Sequence, residues 1–77
     1  MAEPIQRRFH RSLYPVAAVR RAAERFAPAV GSVDVAERDS DTVVTLDGVP
    51  DRVAARIGDE LANHVLFEAL QERGGAA

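Results

Sequence analysis

Seventy-seven residues make one domain, with a core so thin that chains of this size commonly need a staple or a partner. No cysteine is present, which excludes disulfides, thiolate metal sites and cysteine nucleophiles. A formal net charge of −2 weighs against nucleic acid as the partner, and no apolar run approaches the roughly 20 residues that span a bilayer.

Charge is unevenly placed. All ten basic residues are arginine and fourteen residues are alanine, the usage of a GC-rich genome. Residues 1–26 hold six arginines against Glu3 and Glu24, whereas the remainder holds four arginines against ten acids. Such asymmetry fits a partner surface, and it equally fits two ordinary solvated faces. The opening MAEPIQRRFHRS is basic but has no apolar core after it, so it does not read as a signal peptide and the expected location is cytoplasmic.

In chain order, IQRRFHRSL at 5–13 places Ile5, Phe9 and Leu13 on one side of an extended segment, with Arg7 and Arg11 on the same side. That broken alternation suits an edge strand. Pro15 sits where a helix starts, because its missing N–H costs nothing in the first turn. Val16, Val19, Ala23 and Phe26 recur at helical spacing on one face, Arg20, Arg21, Glu24 and Arg25 fill the opposite face, and Pro28 ends the element. The stretch SVDVAERD, the turn residues at 39–41 and TVVTL read as a β-hairpin whose second arm, Val43 to Leu46, is apolar enough to be central. Asp47-Gly48-Val49-Pro50 is a further turn.

The last segment, 51–73, is helical. Leu61, Val65, Leu66, Ala69 and Leu70 are expected on the core face and His64, Glu68, Gln71 and Glu72 on the solvent face. Gly58 falls inside the pattern and predicts a kink or break after a short piece, 51–57. Gly74 and Gly75 are expected to stop the helix. The order predicts an α+β fold: a small βαββα two-layer domain in which a three-stranded mixed sheet, order 1-3-2, carries two helices on one face. The domain is 1–77, with an ordered core at about 5–73 and a flexible tail at 74–77. The other face of the sheet is left bare, and a partner is expected there.

Catalytic chemistry has little to work with. His10 and His64 lack a second ligand at metal spacing, Ser12, Ser32 and Ser40 lack a nucleophile-elbow context, and no glycine-rich loop precedes a helix. Asp39 and Asp41 flank Ser40 as turn formers. The expectation is a protein that is not an enzyme, without cofactor or metal, with nucleic acid an improbable partner and no membrane association. One residue breaks its pattern: Phe67 lies at about 240° on a wheel counted from Leu61, outside the expected apolar arc. It is either covered by 51–57 or exposed as an anchor. The candidate partner interface is Phe67 with Asn63 and His64 on the last helix, and Arg7 and Arg11 on the first strand.

Leu13-Tyr14-Pro15, Ala22-Ala23, Arg25-Phe26 and the run Gly58-Asp59-Glu60-Leu61-Ala62-Asn63, followed by Leu66, Ala69-Leu70 and Arg73, resemble the HxsD-like family over residues 9–73. These are small proteins of the His-Xaa-Ser system. Glu24 stands where that pattern has an aromatic and Phe67 where it has a polar residue. The resemblance implies a non-catalytic accessory or peptide-binding subunit of a ribosomal-peptide modification system. Such a subunit acts with a radical S-adenosylmethionine or similar enzyme, and its partners are that enzyme, the precursor peptide or both. The alternative is a homo-oligomeric or antitoxin-like interaction module, associating through the bare sheet face or the Phe67 side of the last helix.

Overall fold

A computed structural model describes residues 3–74. In chain order it has β1 (Ile5–His10), α1 (Val16–Phe26), a 3-10 turn (Ala27–Ala29), β2 (Ser32–Arg38), β3 (Asp41–Asp47) and α2 (Asp51–Gly74). The sheet order is β1-β3-β2, with β3 in the centre. The α+β architecture is the one expected, with one correction: the sheet is antiparallel at both pairings rather than mixed. The crossover through α1 does set β1 and β2 in the same direction. However, the hairpin inserts β3 between them, so the two parallel strands never pair.

Register sorts the two faces. Opposed residues share a face in an antiparallel sheet. Ile5, Arg7 and Phe9 pair with Leu46, Val44 and Thr42, which pair in turn with Val33, Val35 and Glu37, and this set faces the helices. The core joins Phe9, Val44, Leu46 and Val49 to Val19, Ala22 and Ala23 of α1 and Leu61 and Val65 of α2. At about 25 cal/mol per Å² of apolar surface removed from water, this contiguous cluster is the chief source of stability in so small a chain.

β1 is shorter than the expected 5–13. Leu13 and Tyr14 both donate their N–H to the His10 carbonyl (3.0 and 2.9 Å), and Ser12 Oγ bonds His10 Nδ1 at 2.7 Å. These bonds fold the chain into a turn before Pro15, and Leu13 ends up 58% exposed. Pro15 caps α1, its carbonyl accepting from Ala18 and Val19. Asp39 occupies the hairpin loop at φ 52, a left-handed conformation that Asp tolerates. Gly48, at φ 75, lies against Gly31, so that a side chain at Gly48 would strike the Gly31 backbone.

α2 is one continuous helix of 24 residues, about 36 Å long at 1.5 Å per residue, and it gives the molecule its 44 Å long axis. No break falls at Gly58, and 51–57 is not a separate piece. Gly58 is buried because the Arg7 guanidinium lies across it, in the space a Cβ would need. The residue read as a helix breaker thus provides a slot for a neighbouring side chain. The expected end at Gly74 and Gly75 falls at the limit of the described residues, with α2 running to Gly74. The expected flexible tail lies outside them from Gly75 onward.

Candidate functional site

The phase of α2 differs from the expected one. Leu61, Val65 and Ala69 are buried, but Leu66 is 47% and Leu70 56% exposed, while Glu68 is only 7% exposed. The cause lies on α1. Ala18 and Ala22 are fully buried and small enough for close helix approach, and Arg21 reaches across to Glu68 Oε1 at 3.0 Å and also bonds Glu72. Arg25 Nε and His64 Nε2 lie 3.8 and 3.6 Å from Glu68 Oε2. The buried carboxylate thus faces two guanidinium groups, the condition under which burying charge is tolerable. Hydrogen bonds to Glu68 and then Glu72 raise the Arg21 guanidinium above its ordinary pKa, so the clasp keeps its cation below strongly alkaline pH.

Turning Glu68 inward turns Phe67 outward, to 51% exposure. At one hundred degrees per residue, Leu66, Leu70, Asn63 and Phe67 form one outer stripe. Beside it lies an open groove of about 610 Å³ lined by Arg25, Phe26, Glu60, Asn63, His64 and Phe67. The His64 ring stands between two aromatics, edge-on to Phe26 at 6.0 Å and tilted against Phe67 at 5.9 Å. Its Nε2 is buried and, among the described residues, has no hydrogen-bond partner. Three of the five candidate residues, Asn63, His64 and Phe67, thus share one groove. The alternative in which 51–57 covers Phe67 is excluded, because Phe67 is half exposed and 51–57 continues the same helix.

Arg7 and Arg11 do not join them. Arg7 is half-buried over Gly58 with its Nη1 on the Gln6 carbonyl, and Arg11 pairs with Glu37 at 2.8 Å. Most of the N-terminal positive charge is spent in the same way. Arg8 approaches Asp41, Arg20 approaches Glu37 and Arg21 holds Glu68, while Arg25 stays largely exposed at the edge of that pair. The basic first third and the acidic remainder of the chain are complementary halves of one fold.

The bare sheet face also departs from expectation. It presents Gln6, Arg8, His10, Asp34 and Arg38, and Gln6 bonds Thr45 across the strands. Its one large apolar residue, Val43, is only 6% exposed beneath Arg8 and Ala36, the residues opposite it on either side. This face is wettable and needs no cover. The outer edge of β2 is different. A groove of about 290 Å³ runs between it and α1, lined by Arg20, Ala23, Glu24, Ala27, Val33 and Val35.

Phe26, Arg25 and Glu60 complete the groove and were missed, the first two because the sequence places them in another element and Glu60 because it reads as an ordinary charged residue of the helix. The available signal was the helical spacing of His64 to Phe67 and Glu68. Among the described residues no group of three or more His, Asp or Glu side chains is placed to hold a metal ion, and no helix is long and apolar enough to cross a membrane. Set against models of protein families, curated proteins and solved structures, the chain matches none.

Proposed function

We propose that this chain is a non-catalytic binding module whose work is done by docking other protein chains. Its role is the one the HxsD-like resemblance implies, an accessory subunit of a ribosomal-peptide modification system. The observation that carries the binding reading is the outer stripe of α2. Three large apolar side chains, each about half exposed, stand together beside an aromatic groove, where an ordinary solvated helix would present charge. Buried aromatics with a polar rim are the usual anchors of protein interfaces.

The peptide-handling part of the role is supported by the β2 edge. An edge strand offers main-chain groups to an incoming extended segment, and the groove over Val33 and Val35 gives alternate side chains of that segment an apolar seat. The β1 edge is a poorer acceptor: Pro4 at its start has no N–H to offer, and the groove of about 540 Å³ between it and Asp51, Ala54 and Ala55 of α2 is lined more by polar than by apolar surface. The test is amide hydrogen exchange of the domain with and without a candidate precursor peptide, taken from short open reading frames next to its gene. The expected result is slowed exchange in Ser32–Arg38 with β1 unaffected. Protection elsewhere, or none, removes the peptide role. A second arm addresses α2: Phe67→Ser should weaken the protein complex seated there, whichever chain fills it, by about thirtyfold, the scale of one hot spot.

A further inference from the structure

The α2 groove carries its own information about what fills it. We infer that its occupant is a second copy of this chain, packed about a two-fold axis so that the two outer stripes cover one another. This rests on the reading of the α2 face as an interface and names its partner. An isologous interface must be complementary to itself, with projection and recess on one surface. Here Leu66, Phe67 and Leu70 project, and the open groove of about 610 Å³ between Phe26 and Phe67 lies directly alongside them.

The rim favours a copy over a partner of one charge sign. It holds one cation and one anion, Arg25 and Glu60, whose side chains are 66% and 51% exposed. Neither is saturated. Arg25 only approaches Glu68 at 3.8 Å, and Glu68 is already held by Arg21 at 3.0 Å, while Glu60 meets Arg56 of its own helix at 3.3 Å. A two-fold axis set midway between the two rim charges carries each to the opposite charge of the other copy, making two equivalent pairs. An acidic or basic partner would meet one attraction and one repulsion at the same rim. A copy therefore satisfies the whole rim, and the bare sheet face and the β2 edge stay open on both protomers.

Sedimentation equilibrium over a wide concentration series tests this, with circular dichroism confirming that each variant folds. The wild type is expected to dimerise, and Leu70→Glu, placed on the stripe and away from the core, to remain monomeric. Arg25→Glu and Glu60→Arg should each weaken self-association about tenfold or more, since each sets two like-charge pairs across the axis. The decisive arm is an equimolar mixture of those two variants. A heterodimer juxtaposes only opposite charges, so association should return to near the wild-type level, as it should in the doubly reversed chain. A wild type that stays monomeric throughout overturns the inference, as does a mixture that associates no better than its components. If that monomer still holds the enzyme through Phe67, the binding module stands without its second copy. If it holds neither enzyme nor peptide, both readings fall.

Discussion

Phe67 and Glu68 are neighbours on one helix, yet the phenylalanine is half exposed and the glutamate is almost wholly buried. The inner stripe of α2 runs through Gly58, Leu61, Val65, Glu68 and Ala69, and the outer stripe through Asn63, Leu66, Phe67 and Leu70. Counted by apolar side chains alone, the outer stripe is at least as good a core face. What sets the rotation is the partner: α1 offers alanines for close approach and Arg21 for an ion pair, and only the inner stripe has both the small residue and the acid to meet them. A helix in a small domain is oriented by what faces it, and its surplus apolar side becomes a surface for something else.

Substitutions along the two stripes test that contrast, and the largest effect belongs to the inner one. Leu61→Ala removes a side chain with no exposed surface and should cost about 3 kcal/mol in denaturant unfolding, within the range for buried leucines. In a domain this small, that is a large share of the total stability. A cost below about 1 kcal/mol would mean the inner stripe is not the core.

Glu68 comes next. Glu68→Ala leaves Arg21, Arg25 and His64 without their shared anion and should lower the thermal midpoint by a few degrees. Glu68→Leu should recover part of that loss, because leucine refills the buried space with apolar surface while the largely exposed Arg21 and Arg25 turn to water. If both variants melt like the wild type, the clasp contributes nothing and does not set the helix phase.

The outer stripe should be nearly silent in the isolated monomer. Phe67→Ser and Leu66→Ser should each change intrinsic stability by less than about 1 kcal/mol, since both side chains are about half exposed. Their effect should appear in association instead. From sequence Leu66 belonged to the core, and a serine there would have been ruinous; the two measurements together separate the phases of α2 by tens of degrees of rotation. A Leu66→Ser variant that fails to fold would restore the phase read from sequence.

Much of the architecture was legible because it depends on local pattern. The run Val43-Val44-Thr45-Leu46 is apolar on both faces and so belongs in the centre of the sheet, and Pro15 and Pro28 bracket α1 by backbone chemistry alone. What could not be read depends on residues far apart in sequence. The pairing of Arg21 with Glu68 spans 47 positions, and nothing local marks that acid for the interior. The same holds for Phe26 beside Phe67 and for the ion pairs that join the two charged halves of the chain. Phe67 was legible as an anomaly, since it broke a helical pattern, but the groove it lines was not.

The smallest effect is expected at the first residue of the inner stripe. Gly58 inside a helix should cost about 1 kcal/mol relative to alanine, so Gly58→Ala would ordinarily stabilise. Here the new methyl would enter the space held by the Arg7 guanidinium, which is the far end of a flexible side chain and can move, though only by leaving its place over α2. The two contributions oppose each other, and Gly58→Ala should change stability by no more than about 0.5 kcal/mol. In an Arg7→Ala background the obstacle is gone, and the same substitution should stabilise by about 1 kcal/mol. The difference between the two backgrounds is the coupling between residues 58 and 7, read directly from a double-mutant cycle. A full gain from Gly58→Ala with Arg7 present would show that the arginine does not lie across the helix. The glycine would then mark a mobile point in α2, and the first seven residues of the helix would be free to pack differently from the rest.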